Sequence, residues 1–89
     1  MEIIYTETFE KLFAKLPKHI QQKAIRKIKL FEQNPFLPIL HVEKLYTPVG
    51  DFWSFRIDRS YRVIFSFLKE KRVVFHFIGH HNQIYRFLR

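Results

Sequence analysis

Two arginines, two histidines and a tyrosine in the last third of the chain have side chains suited to handling a phosphate group. Arg56 and Arg62 bracket Ile57-Asp58-Arg59-Ser60-Tyr61, and the run Gly79-His80-His81-Asn82-Gln83-Ile84-Tyr85-Arg86 follows. A planar guanidinium grips phosphate oxygens two at a time and stabilises negative charge growing there. An imidazole moves protons near neutral pH, and a phenol donates a proton or stacks on a base. A salt bridge to Asp58 is the competing use of the arginines. An idle surface pair is the competing use of the histidines. Metal binding is disfavoured, because adjacent histidines on an extended chain point apart, no third ligand is evident and there is no cysteine.

Strand register decides whether these groups meet. Phe52 to Asp58, Tyr61 to Leu68 and Arg72 to Ile78 each alternate apolar with polar residues and read as strands. The alternation assigns Trp53, Phe55, Ile57, Tyr61, Val63, Phe65, Phe67, Val73, Phe75 and Phe77 to a core face. Ser54, Arg56, Arg62, Ile64, Ser66, Val74, His76 and Ile78 fall on the other face, which is expected to be open and electropositive. The two apolar sets coincide only if Ile57 sits opposite Tyr61, leaving Asp58-Arg59-Ser60 as the turn; a one-residue slip mixes the faces. Arg56 then lies directly across from Arg62, and such neighbours repel unless an anion lies between them. Trp53 reads as a core anchor, His76 as structural, and His19 and His41 as solvent-facing.

Upstream, the pattern supplies the elements that carry this sheet. Glu2 to Tyr5 is a short strand-like run, and Thr6 offers an N-cap hydroxyl with Glu7 in the following turn. Phe9, Leu12, Phe13 and Leu16 form one helical stripe that Pro17 ends. A second helix, from Lys18 to Gln33, sets Ile20, Ala24, Ile28 and Phe31 on one side, and Asn34-Pro35 stops it. The short link predicts a helix hairpin. Phe36 to Gly50 reads as irregular, with an extended piece at His41 to Leu45, and the state of Asn82 to Arg89 is open. The order β-α-α-β-β-β predicts an α+β fold, the hairpin packed on one face of a small, mainly antiparallel sheet, as one domain over residues 1–89.

Composition narrows the partner. Sixteen Lys and Arg oppose eight Asp and Glu, a net charge of +8 in 89 residues, which points to an acidic partner such as nucleic acid, an anionic surface or an acidic protein. Solubility alone is the plainer account. Lys11, Lys15, Lys18, Lys23, Arg26 and Lys29 run along both helices, either as a solvated face or as a surface steering toward RNA. No apolar run reaches the roughly 20 residues of a membrane span and no signal peptide is visible, so a cytoplasmic protein without membrane contact is expected.

The strand Trp53-Ser54-Phe55-Arg56-Ile57, the strand Tyr61-Arg62-Val63-Ile64-Phe65, the Lys44-Leu45 before the sheet and the ending Gly-His-His-x-x-x-Tyr-Arg occur here in one order. In that order and spacing the chain resembles the RelE/ParE toxin superfamily, over nearly its whole length. The resemblance implies a toxin of a type II toxin–antitoxin system, and specifically a ribosome-dependent, metal-independent mRNA endonuclease needing no cofactor. In that reaction a 2′-hydroxyl attacks the adjacent phosphate. Arg62 matches the family's strand arginine, Arg56 a basic residue on the preceding strand and Tyr85 the C-terminal tyrosine. His81 stands where many members carry arginine and Ser54 where some carry lysine, so a histidine, His80 or His81, takes the proton-transfer role. The implied RNA groove draws on Lys44, Ser54, Arg59, Arg86, Arg26 and Lys29. The implied partners are an acidic antitoxin, in a hetero-oligomer, and the ribosome with its mRNA. A ParE-like toxin that poisons DNA gyrase without cutting RNA, or an inactive relative, is the alternative.

Overall fold

Thr6 anchors the first crossing from sheet to helix. Its hydroxyl accepts from the Phe9 amide at 3.0 Å and donates to the His76 carbonyl at 3.1 Å. One side chain thus caps a helix and ties it to a strand 70 positions away. The computed structural model describes all residues, Met1–Arg89. The elements run β1 (Glu2–Tyr5), α1 (Glu7–Ala14), α2 (Lys18–Gln33), β2 (Glu43–Thr47), β3 (Gly50–Arg56), β4 (Tyr61–Leu68), β5 (Arg72–His80) and α3 (His81–Ile84). Short 3₁₀ turns cover Pro38–Leu40 and Tyr85–Leu88.

The sheet order is β1-β5-β4-β3-β2, parallel between β1 and β5 and antiparallel elsewhere. The extended piece expected near Leu45 is a fifth strand, β2, on the edge beside β3. Pro17 sits at the N-cap of α2, one position before its first turn. Gln21 at the start of α2 donates to the Phe13 carbonyl at 2.9 Å and so satisfies the C-terminal end of α1.

The core lies between the helices and one sheet face. Phe31 of α2 reaches down to three strands, with ring centroids 4.9 Å from Phe55, 5.0 Å from Phe65 and 5.3 Å from Phe75. Phe9, Ala24, Ile28, Leu40, Ile57, Val63 and Val73 complete it. Two of the assigned faces are corrected. Ile64 pairs with Phe77 and Phe65 with Phe75, so His76 is an extra residue bulging from β5. Beyond the bulge the alternation inverts: Ile78 joins the helix-side core and Phe77 turns to the opposite face. The bulge has a structural use, because it is the His76 carbonyl that accepts from Thr6.

The opposite face is not open, as had been expected. The C-terminal segment folds across it, and Ile84 and Leu88 bury against Ile64 with Leu45, Phe52, Phe77 and Tyr85 around them. Phe87 stacks on Phe77 at 4.4 Å. This second small core fixes Tyr85 over the sheet. No helix is long and apolar enough to cross a membrane.

Candidate functional site

The β3–β4 turn is built around Asp58. Its carboxylate accepts from the Ser60 and Tyr61 amides, both at 2.9 Å, and pairs with Lys23 of α2 at 3.4 Å. Burial alone raises the Asp58 pKa, but these hydrogen bonds and the Lys23 charge outweigh it and hold it below the ordinary value. The carboxylate is therefore committed to the turn and makes no ion pair with either arginine. Ile57 donates to the Tyr61 carbonyl at 3.0 Å, which fixes the register, and Arg56 pairs with Arg62 across the strands.

Arg62 is oriented by backbone. Its Nη1 donates to the Asp58 carbonyl at 2.7 Å and to the Tyr61 carbonyl at 3.1 Å, which leaves Nε and Nη2 for a ligand. Arg56 is exposed and makes no hydrogen bond within the protein. Two adjacent cations with no carboxylate between them form a site for an anion.

The sequence reading missed an acid on this face. Glu43 opens β2 across from Ser54, on the side that carries Arg56. That makes Glu43 and Arg56 diagonal neighbours, about 7–8 Å apart at Cα, and Glu43 has no cationic partner. With Leu45, Tyr85, Leu88 and Arg89 it lines an open groove of about 660 Å³. A groove of that size is enough for a nucleotide-sized ligand. The signal available was the exposed carboxylate two residues ahead of half-buried Leu45, in a strand too short to show its period.

The paired histidines do not point apart, as expected of an extended chain: their rings stack with centroids 4.8 Å apart, because His80 ends β5 and His81 opens α3, and they differ in their other partners. His81 stays with the site: its amide donates to the Ser60 carbonyl at 2.7 Å, and its ring makes no hydrogen bond. His80 pairs with Tyr61, their rings 5.4 Å apart on the helix side of the sheet. Its Nδ1 accepts from the Asn82 amide at 3.1 Å and caps α3. That bond needs an unprotonated Nδ1, so His80 is committed to the fold.

The six residues read as RNA-binding are scattered. Ser54 is 2 % exposed, buried between Glu43 and Ile64. Lys44 faces the helix side, across from Trp53, and lies 3.9 Å from Asp51. Arg59 is exposed in the β3–β4 turn. Arg26 flanks that turn beside Lys23 and Lys27, and Lys27 donates to the Ile57 carbonyl at 3.1 Å. Lys29 is exposed on α2. Arg86 points away from the Tyr85 groove, toward Leu12 and Phe87, and the cation beside Tyr85 is Arg89. His76 is structural: its Nε2 is 2.7 Å from the Ser66 hydroxyl and its ring abuts Phe52, while burial lowers its pKa. His19 and His41 are exposed. No three His, Asp or Glu side chains cluster closely enough to hold a metal ion.

The fold recurs in known proteins. Residues 3–85 match the family described as the ParE toxin of the type II toxin–antitoxin system, parDE. RelE4 of Methanocaldococcus jannaschii is 30% identical over 89 residues, spanning 96% of this chain and 90% of that protein. A YoeB/ParE toxin from Agrobacterium tumefaciens superposes with a TM-score of 0.74 at 18% identity, over 91% of this chain and 99% of that one. The archaeal RelE–RelB complex from Pyrococcus horikoshii also gives 0.74, at 21% identity over 92% of this chain and 96% of that one. The chain belongs to the RelE/ParE superfamily and is a toxin of a type II toxin–antitoxin system.

Proposed function

We propose that this toxin is a ribosome-dependent mRNA endonuclease. The observation that carries the reading is the Arg56–Arg62 pair, free of carboxylate partners, on the sheet face that also holds Glu43, Tyr85 and Arg89. In the proposed step the ribose 2′-oxygen bonds to the adjacent phosphorus and the bond to the 5′-oxygen breaks. The products are a 2′,3′-cyclic phosphate and a 5′-hydroxyl. Arg62, held by two carbonyls, stabilises the charge on the phosphoryl oxygens, and Arg56 binds the same phosphate. The groups available for the two proton transfers are the Glu43 carboxylate, for the 2′-hydroxyl proton, and the His81 imidazole, for the leaving oxygen. Tyr85 stacks on a neighbouring base.

Brief induction without a partner should arrest growth and produce breaks within codons of translated messages, read by primer extension. Arg62→Ala should lower cleavage about 100-fold or more, as loss of a transition-state donor does; unchanged cleavage would remove the assignment. The ParE name of the matching family favours a second reading, a gyrase poison. Intact messages with accumulating gyrase-linked DNA breaks would decide for it. An antitoxin such as the RelB in the Pyrococcus complex is the proposed partner.

A further inference from the structure

The helix-side face of the sheet, at the end away from Arg62, presents aromatic rings that the core does not need. Tyr46 is 93 % exposed on β2, and Phe36, just beyond α2, is 61 % exposed. Phe36 stacks on Phe67 of β4 with centroids 6.0 Å apart and planes within 18°, and Phe67 meets the Trp53 ring edge-on at 5.2 Å. Lys44 and Tyr46 alternate onto this same face of β2, Lys44 directly across from Trp53. An Asx turn holds Phe36 in place, its amide donating to Asn34 Oδ1 at 2.9 Å. The outer face of the Phe36 ring ends the stack in solvent.

We infer that this shelf is a second RNA-contact surface, taking unpaired bases of a single strand as the next rings of the stack. Small proteins rarely leave several large rings exposed together without a ligand for them. The shape argues for bases over a helix from another protein. A partner helix needs a groove for its side chains; the clefts between α1 and α2 and beside Tyr61 lie elsewhere, and the one under Tyr85 shares only Tyr46 with the shelf. Flat rings with an open face accept any base, because every base has a π-face. Charge agrees. Lys44 lies across from Trp53 and Asp51 across from Tyr46, and the β4–β5 turn that follows Phe67 carries Lys69 and Lys71 with Glu70, within a molecule of net charge +8. The Lys44–Asp51 contact, at 3.9 Å on the surface, is weak enough for a phosphate to displace. Only the choice of RNA as ligand rests on the nuclease reading; the shelf shares no residue with the proposed catalytic groups.

Trp53 is the only tryptophan and touches Phe67, so its fluorescence reports on the shelf from the side where it meets the core. Titration with single-stranded 12-mers of adenylate or uridylate should quench it, and a duplex of the same length should not. Phe36→Ala, at an exposed position, should weaken binding about tenfold, the scale of one lost base stack, and leaves Tyr46, which also lines the Tyr85 groove, in place. Arg62→Ala should lower cleavage about 100-fold and keep the quenching that Phe36→Ala removes, which separates this proposal from the nuclease reading. Wild-type affinity in Phe36→Ala would overturn the shelf. So would equal quenching by duplex RNA. A concentration-dependent dimer in ultracentrifugation that Phe36→Ala dissociates would assign the rings to a second copy of the chain instead.

Discussion

Arg62 is held in place before any ligand arrives, by the carbonyls of Asp58 and Tyr61. A lysine there supplies charge but no planar fork, so Arg62→Lys should recover only a small part of the cleavage lost in Arg62→Ala. Two groups, His76 at the β5 bulge and Asp58 in the β3–β4 turn, shape the acid stability of the fold. Burial holds the His76 pKa below its ordinary value near 6.5. As pH falls through about 6.5 the unfolded chain therefore takes up a proton that the folded ring resists, and stability drops until the folded His76 titrates. The Asp58 pKa is also lowered, from near 3.8, so its contribution is complete above that value and is lost as pH falls through the lower folded value. Urea unfolding against pH should show both declines; His76→Gln should remove the upper one and Asp58→Asn the lower. A single decline left intact by both substitutions would count against this account.

The element most exposed to perturbation is the segment from α3 to Leu88, because beyond the His81–Ser60 backbone bond it is held to the sheet by a small core of Ile84, Leu88, Tyr85 and the Phe77–Phe87 stack. Leu88→Ala should loosen it, raising amide exchange at residues 84–88 and lowering activity through Tyr85 while β3, β4 and β5 stay protected. Uniform loss of protection across the sheet would contradict a separate local core. This segment was also the least legible in the sequence, since two apolar positions four apart do not define a period. The β3–β4 turn was legible in full, because only one register aligns Trp53, Phe55 and Ile57 with Tyr61, Val63 and Phe65. The bulge was not. Val73 to Ile78 is apolar at every position but His76, so a one-residue shift leaves no mark on the alternation. Thr6, Pro17 and Asn34 were readable because capping and helix arrest are local chemistry. Glu43 was passed over because its role depends on three strands meeting.

At the scale of the whole molecule the net charge of +8 must meet both a target and an inhibitor. An acidic, disordered antitoxin segment suits the second task, and its association rate should fall steeply with salt, as exposed charges are screened beyond about 10 Å at 0.1 M. Stopped-flow mixing across ionic strengths measures this, and a flat profile would assign the charge to RNA alone. The parallel pairing of β1 with β5 has a consequence in time. The first strand made finds its partner only after nearly all of the sheet has been synthesised, with Thr6 and His76 separated by 70 positions. Contacts that span so much of a chain slow folding. A nascent toxin therefore keeps β1 unpaired until β5 has emerged from the ribosome, and an antitoxin already present meets an unfinished sheet.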